Sequence, residues 1–318
     1  MLWQVTNKAG GEGIMGGSGG FFSSSSNIEN LRSKIDEEKS KIREQTLEIE
    51  ISKYLNELLV SANDRDIEAI NKHIEVIKSA LDKDIDGTVD LLYAGSVAKH
   101  TYVDGLSDID SLVILNDSNL TNLTPSQVKD YFYKRLTERF PGRDIKVGKL
   151  AVTIKFKDSE IQLLPAVKSN NSVKISDVKG ENWALINPTN FTKLLTKVNQ
   201  EQGKKVIPAI KLAKSIISTL PENRQLSGYH IESLAIETFK NYQGTNTVSN
   251  MLRDFFKVAS DRVLTPIKDK TGQSIHVDDY LGNERSIHRR LVSDSLARVA
   301  RKLESASSIE QWKDIFKE

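Results

Sequence analysis

The spacing of apolar residues changes along the chain, and this change constrains the fold more than any other feature. In the middle third of the chain, short apolar runs end or begin at Gly and Asp, which is typical of strands. Two such runs lie at 87–95 and 108–115. A second pair, at 149–156 and 160–166, is joined by the turn "KDS" and predicts a hairpin. A helix begun by a proline, at 125–139, separates the pairs, so the order predicts a mixed sheet with helices on one side.

The rest of the chain has helical spacing. Two helices, at 27–62 and 64–82, are predicted before the sheet. From residue 188 onward the pattern is helical throughout, with predicted helices at 188–200, 205–219, 228–242, 247–264, 284–304 and 307–317. The sequence therefore predicts an α+β fold, in which a sheet with its helices precedes a helical second half.

Composition excludes several classes of protein. The chain has 45 basic and 43 acidic side chains, for a net charge of +2, so no overall field favours nucleic acid or an anionic membrane as a partner. It has no cysteine, which excludes disulfides and thiolate-bound zinc and suits the cytoplasm. No run approaches the roughly 20 apolar residues of a membrane-spanning helix. We therefore expect a cytoplasmic protein without a membrane segment.

Two aspartates one residue apart, Asp108 and Asp110, open the strand "DIDSLVIL". Side chains at positions i and i+2 of a strand share a face, so both carboxylates point to one spot. Their repulsion is relieved by a divalent cation, and Mg²⁺ prefers one or two carboxylates together with waters and substrate phosphates. The alternative is a solvated edge strand, but the apolar run that follows favours a metal site.

A Gly-Ser pair precedes these aspartates. Gly95 lets the backbone approach a ligand, and Ser96 offers a hydroxyl and a backbone N–H before a predicted helix start at Val97. Groups of this kind bind phosphates. Gly-Ser followed by Asp-x-Asp is more specific than either half and indicates nucleotide chemistry.

The stretch "GSVAKHTYVDGLSDIDSLVIL" resembles the nucleotidyltransferase signature of the DNA polymerase β superfamily. More narrowly, the chain is similar to the bacterial cGAS/DncV-like nucleotidyltransferases (CD-NTases), the oligonucleotide cyclases of anti-phage (CBASS) signalling, which have 2′-5′-oligoadenylate synthetase as a relative. The resemblance continues in "IQLLPAV" (161–167), "VIPAIKLAKSII" (206–217), "LSGYHIESLAIETF" (226–239) and "IEQWKDIF" (309–316). It implies a polymerase-β-like nucleotidyltransferase core followed by a C-terminal helical domain.

The domain prediction combines this resemblance with composition. Residues 1–26, rich in Gly and Ser, are predicted to be a flexible tail. Residues 27–180 are predicted to hold the bracing helices and the nucleotidyltransferase core. Residues 181–318 are predicted to form the helical domain that closes the nucleotide cleft.

The resemblance also implies a third metal carboxylate on the hairpin strand, at the position of Gln162. A glutamine amide ligates weakly and cannot act as a base. Three readings follow: Glu160 takes the role from about 7 Å along the strand, the site works with two carboxylates, or catalysis is lost. We favour retained activity, since both aspartates and the Gly-Ser pair are present.

Further nucleotide-binding residues are implied on the helical half. Lys214 matches a lysine that contacts the triphosphate, with Lys211 one turn earlier as a second candidate. Ser227 and Tyr229 begin the next helix, where a hydroxyl and free N–H groups can reach phosphate or base. For the lysines, the polar face of an amphipathic helix is an equally good interpretation, and Ser227 is equally well explained as an N-cap.

The leading hypothesis is a template-independent nucleotidyltransferase that uses Mg²⁺ or Mn²⁺ to join NTPs into a cyclic oligonucleotide, releasing pyrophosphate. The alternatives are a synthase of linear oligonucleotides and a nucleotide-binding protein with weakened catalysis. We expect a monomer that needs no nucleic acid, and an effector receptor that reads the product.

Overall fold

The computed structural model describes residues 24–63, 67–82, 88–93, 96, 99–103, 109–116, 119–157, 159–169, 172–177, 180–186, 188–270 and 276–317. The predicted tail (apart from residues 24–26), Gly95, the helix start at Val97 and Asp108 lie outside these ranges.

Two helices come first, α1 (Ser24–Ser61) and α2 (Ile67–Asp82). Helix α1 begins three residues earlier than predicted, within the segment assigned to the tail. The chain divides into two compact units, Met1–Thr46 and Leu47–Glu318. In the first unit, the described helix exposes its apolar residues, Leu31, Ile35 and Ile42. In the second unit, α1 buries Ile51 and Leu55 in the core of the helical half.

The strands within the described residues form a seven-stranded sheet. Their bounds are β1 Thr88–Tyr93, β2 Ile109–Asn116, β3 Ile145–Val147, β4 Val152–Lys155, β5 Glu160–Ser169, β6 Ser172–Ser176 and β7 Trp183–Ile186. The order is β1-β2-β5-β4-β3, with β6 on β5 and β7 on β6. Strands β2 and β5 are parallel and the other pairs are antiparallel, so the sheet is mixed, as predicted.

One face of the sheet packs against α2 and against α3 (Pro125–Arg139). Ile77 of α2 and Phe132 of α3 are buried there with Val113 and Leu163 from the two central strands. This core fixes the parallel pair β2 and β5 in place. Asp110 and Gln162 lie on that pair.

The second half of the chain is helical, as predicted. Its helices are α4 Pro188–Glu201, α5 Val206–Ser218, α6 Gly228–Phe239, α7 Val248–Arg262, α8 Ile287–Ser305 and α9 Ile309–Ile315. They share one core, which includes Leu212, Leu234, Phe256, Leu296 and Trp312. In the part of the chain that the structure describes, no helix combines the length and the apolar character needed to cross a membrane.

Candidate active site

Strand register places the predicted metal-binding positions. The backbone of Asp110 in β2 pairs with that of Gln162 in β5, and on its other side Gln162 pairs with Thr153 of β4. The position where the resemblance implies a third carboxylate is thus the direct neighbour of Asp110. The side chain of Asp110 and the whole of Asp108 lie outside the described residues.

The residues that are predicted to bind the metal offer oxygen atoms as ligands. The carboxylates of Asp108 and Asp110 and the amide oxygen of Gln162 are ligands that suit Mg²⁺ or Mn²⁺. Glu160, the first residue of β5, pairs with Lys155 and is half-buried. Among the described side chains, no group of three or more acids or histidines is close enough to hold a metal.

Ser96 lies in the connection between β1 and β2, called the Ser96 loop below, although its own backbone is helical. It is 8% exposed, and its hydroxyl has no hydrogen-bond partner in the part of the chain that the structure describes. Its carbonyl accepts a hydrogen bond from the backbone N–H of Thr101, at 2.9 Å. An unpartnered buried hydroxyl is costly, and a phosphate oxygen would satisfy it.

A buried cluster ties this loop to the helical half. The Lys214 ammonium, on α5, donates to the Thr101 carbonyl at 2.9 Å, to the Thr101 hydroxyl at 3.3 Å and to Glu232 Oε1 at 3.0 Å. The other carboxylate oxygen of Glu232 accepts from Lys99 Nζ, and the Thr101 hydroxyl donates to Oε1. Glu232, on α6, is 1% exposed. One carboxylate thus joins two lysines and the loop that contains Ser96.

The charges in this cluster stabilise one another. Burial alone would raise the pKa of Glu232, but the ammonium groups of Lys99 and Lys214, together with hydrogen bonds from Lys99 and Thr101, hold that pKa below its usual value. The cluster contains two cations and one anion, so it keeps one net positive charge near Ser96. A negatively charged ligand such as a triphosphate is favoured at such a place.

Tyr229, predicted to reach phosphate or base, contacts the same cluster through its ring. Lys99 Nζ lies 5.3 Å from the ring centroid of Tyr229 and 5.2 Å from that of Phe191, which is cation–π geometry. The Tyr229 hydroxyl donates to Asp269 at 2.7 Å. Tyr229 therefore helps to orient Lys99.

Ser227 is the N-cap of α6, since its hydroxyl accepts from the backbone N–H of His230 at 3.3 Å. Its own N–H donates to the Tyr280 hydroxyl at 3.1 Å, and that hydroxyl lies 2.9 Å from His230 Nδ1. The start of α6 also lies close to Lys214. A Cβ atom placed on Gly228 would be only 3.4 Å from Lys214 Nζ. The structure thus brings Ser227 and Lys214 to one place.

Lys211 is separate from this cluster. Its ammonium donates to the Asn63 side chain, just after the end of α1. Of the two lysines proposed for the triphosphate, Lys214 is the one whose hydrogen bonds to described residues include Thr101, in the loop that contains Ser96.

Sequence reasoning missed Lys99, Thr101 and Glu232. A signal was present for Glu232, which occupies the apolar stripe of α6 together with Ala235, Ile236 and Phe239. An acid on an apolar stripe needs a buried partner, and in the structure these partners are Lys99 and Lys214.

Fold and site together define the chain as a nucleotidyltransferase of the polymerase-β-like kind, as the resemblance implied. The family model of the Second Messenger Oligonucleotide or Dinucleotide Synthetase (SMODS) domain matches residues 25–199, more than half of the chain. The protein belongs to this family, and its fold is that of the CD-NTases.

Solved structures agree on the fold. CdnC of E. coli MS115-1, solved with ATP, is 16% identical with a TM-score of 0.62, covering 81% of this chain and 92% of CdnC. CdnG of Bradyrhizobium diazoefficiens, solved with GTP, is 14% identical with a TM-score of 0.62, covering 82% and 93%. DncV of Vibrio cholerae, a cyclic AMP-GMP synthase, is 14% identical with a TM-score of 0.57, covering 92% and 89%. A search of curated protein sequences finds no significant match.

Proposed function

We propose that the protein condenses NTPs into a cyclic oligonucleotide second messenger for anti-phage signalling in the cytoplasm, where an effector receptor reads the product. The observation that carries this proposal is the buried, unpartnered Ser96 hydroxyl on a loop held by Lys214 and Glu232. The family match and the cyclic AMP-GMP synthase among the similar structures support it.

Each residue has a proposed role. Asp108 and Asp110 would hold Mg²⁺ or Mn²⁺, which would neutralise the triphosphate and lower the pKa of the attacking ribose hydroxyl. Ser96 donates its hydroxyl to a phosphate oxygen, and Gly95 allows the close approach. The attacking oxygen forms a bond to the α-phosphorus of a second nucleotide, and pyrophosphate leaves.

The helical half would orient the triphosphate. Lys214 supplies positive charge beside Ser96, and Ser227 offers phosphate contacts at the start of α6. Because the Lys214 ammonium already donates to Thr101 and Glu232, its proposed role is to hold the loop and to provide a positive field for the triphosphate.

Gln162 favours a second candidate function. Next to Asp110 it replaces a charged ligand with a neutral one, which weakens metal binding. A nucleotide-binding protein with weakened catalysis would show NTP-dependent thermal stabilisation without pyrophosphate release. A linear oligonucleotide product is the third alternative.

One experiment separates these functions. The purified protein is incubated with labelled ATP, GTP, CTP and UTP, separately and mixed, with Mg²⁺ or Mn²⁺, then treated with phosphatase and chromatographed. We expect a phosphatase-resistant product, because a cyclic product has no terminal phosphate. A phosphatase-sensitive product would indicate linear synthesis, and stabilisation by NTP without product would indicate binding alone.

The site assignment is tested in the same assay with Asp110→Asn. We expect no product from this variant, which keeps the shape of the side chain but loses the charge that a metal needs. Asp130→Asn, on an exposed position of α3, is the matched control and should react like the wild type. Turnover by Asp110→Asn at the wild-type rate would show that the metal site is elsewhere.

A further inference from the structure

A second group of basic side chains lines a cleft that shares no residue with the candidate active site. The cleft lies between α8 and the segment that joins α5 to α6, and its volume is about 180 Å³. At about 30 Å³ per water molecule, it holds roughly six waters. Its walls are formed by Thr219, Leu220, Pro221 and Arg224 on one side and by Ser295, Arg298, Val299 and Lys302 on the other.

The charged residues that line the cleft are all basic. Arg224, Arg298 and Lys302 line it, and no lining residue is acidic. Among the described residues, no carboxylate lies within salt-bridge distance of Arg224 or Arg298. Asp294 lies one turn before Arg298 on α8 but does not form part of the wall. The guanidinium groups of Arg224 and Arg298 at one small cleft favour an anionic ligand.

Hydrogen bonds hold part of the cleft in place. Ser295 is 4% exposed, and its hydroxyl accepts from Arg224 Nη1 at 3.4 Å while donating to the Leu291 carbonyl at 3.0 Å. The side chain of Gln225 donates to the carbonyls of Ser218, at 3.0 Å, and of Leu220, at 2.7 Å, which fixes the opposite wall. Arg224 is thus oriented by both walls before any ligand arrives.

We propose that this cleft binds a small molecule through a diphosphate group. A guanidinium group binds phosphate oxygens in pairs, and Arg224 and Arg298 bring two such groups to the cleft. The apolar side chains of Leu220, Pro221 and Val299 lower the local dielectric and strengthen these contacts. The small volume suits one or two phosphate groups and not an extended strand, which needs a long groove with stacking platforms.

The test is equilibrium dialysis with labelled inorganic pyrophosphate, in the presence of a saturating non-hydrolysable ATP analogue and Mg²⁺ that fill the active site. We expect one class of pyrophosphate site to persist under these conditions. In Arg224→Ala/Arg298→Ala its affinity should fall by about tenfold or more, since charge-assisted bonds are lost. Arg290→Ala, an exposed arginine of α8 outside the cleft, is the matched control and should retain the site.

Competitors identify the source of the diphosphate. Displacement by ADP would assign the cleft to nucleotides, and displacement by inorganic phosphate alone would assign it to free phosphates. The proposal is overturned if no site persists beside the ATP analogue, if the double variant keeps the site, or if only single-stranded DNA competes with a steep dependence on salt.

Because the readout is binding outside the active site, this test does not depend on the proposed function. The proposed function fails separately if no NTP is bound or turned over. Single Arg298→Ala, at an exposed position, gives the same test should the double variant fold poorly.

Discussion

At the scale of single residues, the Glu232 side chain links three other residues of the candidate site. Its carboxylate binds Lys99, Lys214 and Thr101, while nearly all of its surface is removed from water. A buried ion pair adds little net stability, but the loss of one partner leaves an uncompensated charge. Glu232 is therefore a positioning residue, which acts on the triphosphate through the loop that contains Ser96.

Replacement by the neutral isostere Glu232→Gln tests this role. Without the carboxylate, the ammonium groups of Lys99 and Lys214 repel each other, and the Ser96 loop loses its tie to α6. We expect the KM for NTP to rise about tenfold with a smaller change in kcat, because a ground-state binding contact is lost. The free energy of unfolding should fall by about 3 kcal/mol. Steady-state kinetics and urea unfolding measure the two effects.

Two further variants separate charge balance from packing. In Lys99→Met/Glu232→Gln one cation and one anion are removed together, so KM should return toward the wild-type value. Glu237→Gln, which breaks the surface pair with Lys240 on the same helix, should change stability by less than about 0.5 kcal/mol. A double variant with a higher KM than the single variant would contradict the charge-balance role.

At the scale of elements, the sequence predicted long periodic segments well and short paired ones poorly. Helix α3 lies where predicted, at Pro125–Arg139, because proline and a capping box mark its start. Strands β3, β6 and β7 were not predicted. They have only three to five residues, and each is stabilised by pairing with a neighbouring strand, so their own residues contain little signal. The cluster around Glu232 escaped prediction for a different reason, since its partner Thr101 is 131 residues away in sequence.

The capping box of α3 can be tested directly. Thr124 Oγ1 accepts from the backbone N–H of Gln127 at 3.3 Å, and Gln127 Oε1 accepts from the backbone N–H of Thr124 at 2.9 Å. We expect Thr124→Ala to lower the free energy of unfolding by about 1 kcal/mol in urea titrations, because the backbone N–H of Gln127 loses its partner. Thr137→Ala, on the exposed side of the same helix, is the control and should be nearly neutral. If both changes lowered the free energy of unfolding equally, the Thr124 cap would stabilise the helix no more than an exposed threonine does.

At the scale of the whole molecule, a buried polar network joins the start of α6 to α8. Arg289 is fully buried and donates to Asp278 at 2.7 Å and to the Val263 carbonyl at 2.9 Å. Asp278 Oδ2 lies 3.6 Å from His230 Nε2, and the Tyr280 hydroxyl links His230 to Ser227. The Tyr280 hydroxyl oxygen accepts a hydrogen bond from the Ser227 N–H, so the hydroxyl proton points at His230 Nδ1. Nδ1 can accept this proton only in the neutral imidazole that has its hydrogen on Nε2. The network therefore favours a neutral His230.

Acid should destabilise the protein through this histidine. Burial, opposed by Asp278 and assisted by Arg289, lowers the pKa of His230 from 6.5 to about 4. Well above pH 6.5 the ring is neutral in both the folded and the unfolded chain. This group then no longer makes the free energy of unfolding depend on pH. As the pH falls from 6.5 toward 4, the unfolded chain takes up a proton that the folded chain does not, so stability is lost. We expect a fall of about 2 kcal/mol in the free energy of unfolding between pH 7 and pH 5, measured by urea titration.

The comparison of variants assigns this loss to one side chain. His230→Asn keeps a hydrogen-bonding group on α6 but does not titrate, so the difference in unfolding free energy between pH 7 and pH 5 should shrink by about 2 kcal/mol, even if the variant is less stable at both values. His100→Asn, at an exposed position where the backbone φ of 59° suits asparagine, should keep the full difference. A wild-type protein equally stable at both pH values, or a His230→Asn variant that still loses the same stability in acid, would show that the buried network tolerates a charged imidazole. In that case Tyr280 would have to donate elsewhere, and the link from Arg289 to Ser227 would not depend on a neutral ring.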